Sequence, residues 1–230
     1  MTEQDNLALR EISTRWSCVK DVNRFTLRYI SAMSRLLQFM MKEEDSSKEV
    51  LQRFLLKVVE RGFNEELPKS GRFRDYLARS LRNAAIDFYR EKNPAQAEDF
   101  MLVELADGAD PHEEMWQESW TECLLDRAWQ KLEQHQYTTV NCYYHTILRL
   151  ACENGDQSSA AMATIVSNQL PQSLSAESYR KQLSRARRKF AGFLATEVRE
   201  TLEAPTDADL AEELATLGLK RYLDRFDANL

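Results

Sequence analysis

Glycine and proline are scarce, with six and five residues respectively in a chain of 230. That is too few for the tight turns a strand-rich fold of this length would need, so the absence argues for helices. No run of about eighteen apolar residues occurs, and a membrane-spanning helix is therefore not expected. The opening MTEQDNLALREISTRW is polar and acidic where an export signal would carry a basic start and an apolar stretch. A cytoplasmic location is expected. The four cysteines, at 18, 123, 142 and 152, form no CxxC pair, and the three histidines, at 112, 135 and 145, are scattered. Cys142 and His145 stand three apart, but two ligands do not complete a zinc site. The thiols are expected to be reduced and unpaired, with no metal and no cofactor. A glycine-rich phosphate loop, a nucleophile elbow and a HExxH pair are all missing, so the sequence offers no chemistry from which to build an enzyme.

What is present is helical periodicity and an uneven distribution of charge. NRFTLRYISAMSRLLQFMMK carries Phe25, Tyr29, Met33, Leu36, Leu37 and Met40 at helical spacing. A second helix, KEVLQRFLLKVVERGF, presents Val50, Leu51, Phe54, Leu55, Val58 and Val59 as a broad apolar face, with Asp45, Ser46 or Ser47 as its N-cap. A third, GRFRDYLARSLRNAAIDFYR, ends before Pro94. From Asn93 to Asp126 there are ten acids and no lysine or arginine, and the first half of this stretch reads as an acidic linker. A helical period resumes with Trp116, Trp120, Leu124, Ala128 and Leu132, whose tryptophans are expected in a core. YTTVNCYYHTILRLACENG predicts another helix, built on Val140, Tyr144, Ile147, Leu148 and Ala151 and stopped at Asn154 and Gly155. A short helix in SSAAMATIVSN, a turn in QLPQSL and a long basic helix starting at Ser175 follow. A brief turn before a basic helix is the pattern of a DNA-reading helix-turn-helix. The tail from Glu200 has eight acids against three cations. The expected fold is all-α, with two small helical domains at 1–93 and 113–200, an acidic linker at 94–112 and a C-terminal helical extension at 201–230.

Two helices concentrate cations although the whole chain carries a formal net charge of -6. In the third, Phe73, Leu77, Leu81, Ala84, Ala85 and Phe88 share one side, Arg72, Arg79, Arg82 and Arg90 the other, with Tyr76, Asn83 and Asp87 on its flank. Tyr76, Phe88 and Tyr89 beside guanidinium groups suit unstacked single-stranded bases. The last basic helix holds six cations and no acid between Arg180 and Lys189. Its polar face suits base edges and phosphates in a major groove. Cations gathered against an acidic background create local positive potential where a phosphate backbone can lie.

At these residues the chain resembles the extracytoplasmic-function group of bacterial RNA polymerase sigma factors. The stretch from Gly71 is similar to that family's G-x-F-R-x-W-L-x-x-I-A-x-N-x-x-x-D-x-x-R pattern at Gly71, Phe73, Arg74, Leu77, Asn83, Asp87 and Arg90, with Tyr76 in the tryptophan's place. SKEVLQRFLLKV resembles its clamp-binding helix, and SAESYRKQLSRARRKF resembles the end of its second domain. Lys48 and Arg53 stand where family members often carry acids, and the turn from Ala163 to Tyr179 lacks the usual glycine and is several residues longer. The resemblance implies a two-domain adaptor, itself not an enzyme, whose partners are core RNA polymerase and promoter DNA. Lys48, Glu49, Gln52 and Arg53 would bind the polymerase. Arg72, Arg74, Tyr76, Arg79, Asn83, Asp87 and Arg90 would hold melted promoter, and Glu177, Ser178, Arg180, Lys181, Ser184, Arg185 and Arg188 would read duplex. The acidic linker would run near the RNA exit path. Two other readings stand beside it: a helix-turn-helix regulator that never touches polymerase, and a sigma-like interaction protein controlled through its acidic tail by an anti-sigma or other regulatory partner.

Overall fold

A computed structural model describes residues 22–41, 43–61, 72–92, 113–202, 205–220 and 222. The described residues form eight α-helices and no strand: α1 (Val22–Met41), α2 (Glu44–Arg61), α3 (Phe73–Lys92), α4 (Glu113–Thr138), α5 (Tyr144–Glu153), α6 (Ser159–Ser167), α7 (Ala176–Arg199) and α8 (Asp207–Thr216). The all-α expectation is met, and among the described residues no helix is long and apolar enough to cross a membrane. The acidic linker at 94–112 lies outside the described residues.

The helices gather into two compact units, and the division falls inside α4, between Cys123 and Leu124. Composition alone would start the second unit at about residue 113. The reason for the difference is aromatic. Trp120 is fully buried, its ring stacked on Tyr29 at 4.5 Å and 2° and tilted against Phe73 at 6.3 Å, with Trp116 at 5.6 Å. Those contacts bind the start of α4 to α1 and α3. In this first unit α1, α2 and α3 pack against one another around Met33, Leu36, Leu37, Val50, Phe54, Leu77 and Leu81, all buried. Glu200–Thr206 also belongs to it, and there Glu200 forms an ion pair with the buried Arg28.

Two local expectations change. Ser46 and Ser47 do not cap α2: both are buried inside its first turns, Ser46 Oγ donating to Glu43 Oε2 and Ser47 Oγ to the Glu44 carbonyl. The helix begins one residue earlier than the candidate caps, because the Glu43 carbonyl accepts the first helical bond from Ser47 N–H. Val59, expected on the apolar face, is 60% exposed, and its neighbour Leu56 is 52% exposed. Val58 takes the core position instead.

In the second unit α7 packs against α5, α6 and α8. Ile147, Leu150, Met162, Ala163, Val166 and Tyr179 form its core, with Tyr143, Leu170, Leu174 and Leu183 packed on them. Val140 was expected to help build a helix, yet it is 87% exposed in the turn before α5. Asn141 there adopts φ 56°, which ends one helix and redirects the chain. α8 closes with Gly218 at φ 64°, its N–H bonded to the Ala215 carbonyl while Leu219 N–H reaches the Leu214 carbonyl. Leu214 and Leu219 are both buried, so the turn that needs a left-handed residue also seats an apolar pair.

Candidate nucleic-acid interface

On α3, at about 100° per residue, Tyr76, Arg79, Asn83, Asp87 and Arg90 fall within a sector of about 80°, and Arg72, the residue before the helix, continues the same line. Arg79, Asn83, Asp87 and Arg90 are exposed, while Arg72 and Tyr76 are half-buried. The Arg72 carbonyl accepts from Asp75 and Tyr76 N–H, so Arg72 sits at the helix's entry. The Tyr76 ring lies 6.4 Å from that of Phe73, and Asp87 pairs with Arg90 at 3.6 Å. Six of the seven residues assigned to single-stranded DNA thus share one ridge.

The seventh, Arg74, does not. Its side chain is 3% exposed, with Nε donating to Asp75 Oδ1 at 3.3 Å. Position 74 lies on the same face as Leu77, Ala78, Leu81, Ala85 and Phe88, all buried, so helical spacing turns it inward. The rings of Phe88 and Tyr89 are likewise buried, not displayed as stacking platforms. Tyr89 Oη donates to the Met41 carbonyl at 3.2 Å, and burial pushes its phenol above the ordinary pKa. Phe88 lies under the Arg53 guanidinium at 5.4 Å and the Lys92 ammonium at 4.4 Å.

On α7 all seven residues expected to read duplex are exposed: Glu177, Ser178, Arg180, Lys181, Ser184, Arg185 and Arg188. They point away from Tyr179, Ala186 and Phe190, which are buried. Ser175, the expected start of the helix, caps it instead, its Oγ accepting from Ser178 N–H at 3.1 Å, and the helix proper begins at Ala176. Ser158 caps α6 in the same way through Ala161 N–H at 3.2 Å. The connecting turn is long but ordered by its own core contacts: Leu170 and Leu174 pack inward, and Ser167 Oγ accepts from Leu174 N–H at 2.8 Å while donating to the Ala163 carbonyl at 2.6 Å. A glycine is unnecessary there because no residue of the turn takes a positive φ. Lys181 pairs with Glu177 at 2.7 Å, whereas Arg180, Arg185 and Arg188 have no acidic partner among the described residues.

The residues assigned to polymerase divide. Lys48 pairs with Glu44 at 2.6 Å. Glu49 bridges Arg53 at 2.7 Å and Lys92 at 2.8 Å, and Arg53 also reaches Glu91 at 2.7 Å. The Lys92 hydrogen bond, with Arg53 beside it, holds the Glu49 carboxyl below its ordinary pKa. This four-charge cluster ties α2 to the end of α3. Gln52 is exposed and begins a stripe with Leu56 and Val59 at i, i+4 and i+7 on one side of α2. Nothing local marks Leu56 and Val59 as outward-facing, since apolar residues on a helix are read as core. Comparison with protein-family models, with curated proteins and with solved structures finds no match.

Proposed function

We propose that this chain is a sigma-type initiation factor, which binds core RNA polymerase in the cytoplasm and brings it to promoters. The carrying observation is the outward face of α7, on which three arginines without acidic partners among the described residues and a capped N-terminus lie on a helix anchored to a helical core. Phosphate oxygens are the natural partners of such a surface, and its N-terminal residues have the size and polarity to reach base edges. The ridge on α3 supports the second half of the reading. Arg79 and Arg90 offer charge, Asn83 an amide and Tyr76 a partly exposed ring, a set suited to bases taken out of the stack.

In this scheme melting is driven by differential binding. Stacking of a flipped base on a ring contributes on the order of 1–3 kcal/mol, against an unstacking cost of a few kcal/mol. Polymerase, not this chain, makes the phosphodiester bond. Gln52, Leu56 and Val59 would dock on the polymerase, with the apolar pair supplying burial. The test is run-off transcription with purified core enzyme on a promoter library: specific start sites that require this chain support the reading, and their absence together with failure to bind core enzyme ends it.

One observation favours a second reading, a DNA-binding regulator that works without polymerase. Glu49 and Arg53, two of the four residues carried over to polymerase, are engaged with Lys92 and Glu91. Duplex binding without any co-purification with core enzyme would select this reading.

A further inference from the structure

The second unit contains an open cleft of about 350 Å³ lined by His135, Tyr144, Arg185, Arg188 and Lys189. Its chemistry is one-sided: three cationic side chains, an imidazole and a phenol, with no acid among the described residues of the lining. Arg185 and Arg188 have no acidic partner among the described residues, and the Lys189 ammonium sits 5.1 Å from the Phe193 ring centroid. Three elements hold the lining in place. His135, on α4, shares a hydrogen bond between Nδ1 and Thr139 Oγ1 at 3.2 Å, and its ring lies between Tyr144 at 6.1 Å and Phe193 at 5.9 Å. Tyr144 is the first residue of α5, and the cations come from consecutive turns of α7. Such a site gathers uncompensated positive charge in an open surface concavity, with Arg185, Arg188 and Lys189 all exposed, and an anion between them relieves their mutual repulsion.

We propose that this cleft is a binding site for a phosphate monoester carried by a small molecule. A monoester near neutral pH has close to two negative charges and three terminal oxygens, which matches two guanidinium groups, an ammonium and a phenol better than a carboxylate does. A phosphodiester in a nucleic-acid strand has one charge and two free oxygens, and so leaves more of the lining unsatisfied. The forked guanidinium groups of Arg185 and Arg188 can each engage two oxygens. His135 reports on occupancy. Burial and the neighbouring Lys189 keep its pKa below the ordinary histidine value, and a dianion beside it reverses that effect. The site does not depend on the polymerase reading, although Arg185 and Arg188 serve both, and an occupied cleft would compete with duplex for those two side chains.

The experiment follows the ring signals of His135 by NMR in the full chain labelled at histidine. Inorganic phosphate, dimethyl phosphate and chloride are added in turn at matched ionic strength. His145, whose ring packs edge-on against Trp129 at 5.7 Å, is the internal control. Phosphate should move the His135 signals saturably and raise the pH of its titration midpoint, with dimethyl phosphate at least tenfold weaker. Arg188→Gln combined with Lys189→Gln should weaken phosphate binding tenfold or more, while Arg180→Gln leaves it unchanged. A response to phosphate no larger than to chloride, or dimethyl phosphate binding as well as phosphate, overturns the proposal. A negative run-off assay and failure to bind core enzyme, beside a positive titration, would remove the polymerase reading alone.

Discussion

Ser167 Oγ accepts a hydrogen bond from the backbone N–H of Leu174, seven residues later, at 2.8 Å. The same hydroxyl donates to the Ala163 carbonyl at 2.6 Å, so one side chain fastens the end of α6 to the far end of the turn that leads into α7.

Replacing Ser167 with Ala should therefore loosen the entry to α7. Loss of the hydroxyl leaves a partly buried N–H without its acceptor, which costs about 1–2 kcal/mol. In a chain of this size that lowers Tm by a few degrees, roughly 2–4 °C per kcal/mol, and calorimetry measures it directly. On the proposed function, duplex affinity falls as well, although Ser167 does not belong to the exposed face of α7.

The α3 ridge separates melting from polymerase capture. Arg79→Ala and Asn83→Ala, both at exposed positions, should slow open-complex formation roughly tenfold, the equivalent of about 1.4 kcal/mol, and leave core-enzyme binding unchanged. Arg74→Ala should do the opposite of a surface change: it removes a buried side chain and lowers the melting temperature. Permanganate footprinting of the opened strand measures the first pair, and thermal unfolding the second.

Salt dependence tests α7. Each of Arg180 and Arg185, replaced by Ala, should reduce the slope of log affinity against log salt by about one for duplex DNA. Glu177→Gln should raise affinity, because it frees Lys181 from its 2.7 Å partner and removes a negative charge from the face. Fluorescence anisotropy over a salt series reads all three, and slopes equal to the parent's would remove the duplex role.

Stability should fall on mild acidification. Burial, with a smaller contribution from Arg149 that Glu133 opposes, holds the His145 pKa below its ordinary 6.5, and burial with Lys189 does the same at His135. The unfolded chain then binds protons before the folded one does as pH drops. The stabilisation is complete above pH 6.5, declines between 6.5 and the folded values, and changes no further below them. His145→Gln should flatten the decline in chemical denaturation midpoints measured from pH 7.5 downward, and a parent curve without a decline would contradict the assignment.

Glu197 is 2% exposed and lies between Lys131, with which it forms a close ion pair, and Arg127, at 3.8 Å. Glu197→Ala would remove the buried carboxylate that these two cations share, each of them about a quarter exposed. The expected destabilisation is about 2 kcal/mol, below the 3–5 kcal/mol of a fully buried pair, and guanidinium unfolding would show it as a lower midpoint with an unchanged m-value.

Helix content was legible in the sequence because periodicity is local: the apolar positions of α1 and α3, the start of α7 near Ser175 and the Asn154 stop all follow from spacing and side-chain chemistry within a few residues. The outward face of α7 was legible for the same reason, since a helix with Tyr179, Ala186 and Phe190 inward must turn Arg180, Arg185 and Arg188 outward. What spacing could not supply was partner identity across elements. Tertiary packing decided that Trp116 and Trp120 join the first unit, that Phe88 lies beneath Arg53 and Lys92, and that Glu49 is shared by two cations. It also supplied what the local sequence lacks at the start of α5: no side chain at Tyr143 caps the helix, and the Gln136 amide of α4 accepts from Thr146 N–H while donating to Thr146 Oγ1, both at 3.0 Å. The division has one physical cause. A helix's faces are fixed by its own bonded geometry, whereas the neighbour each face meets depends on how distant segments fill a common volume.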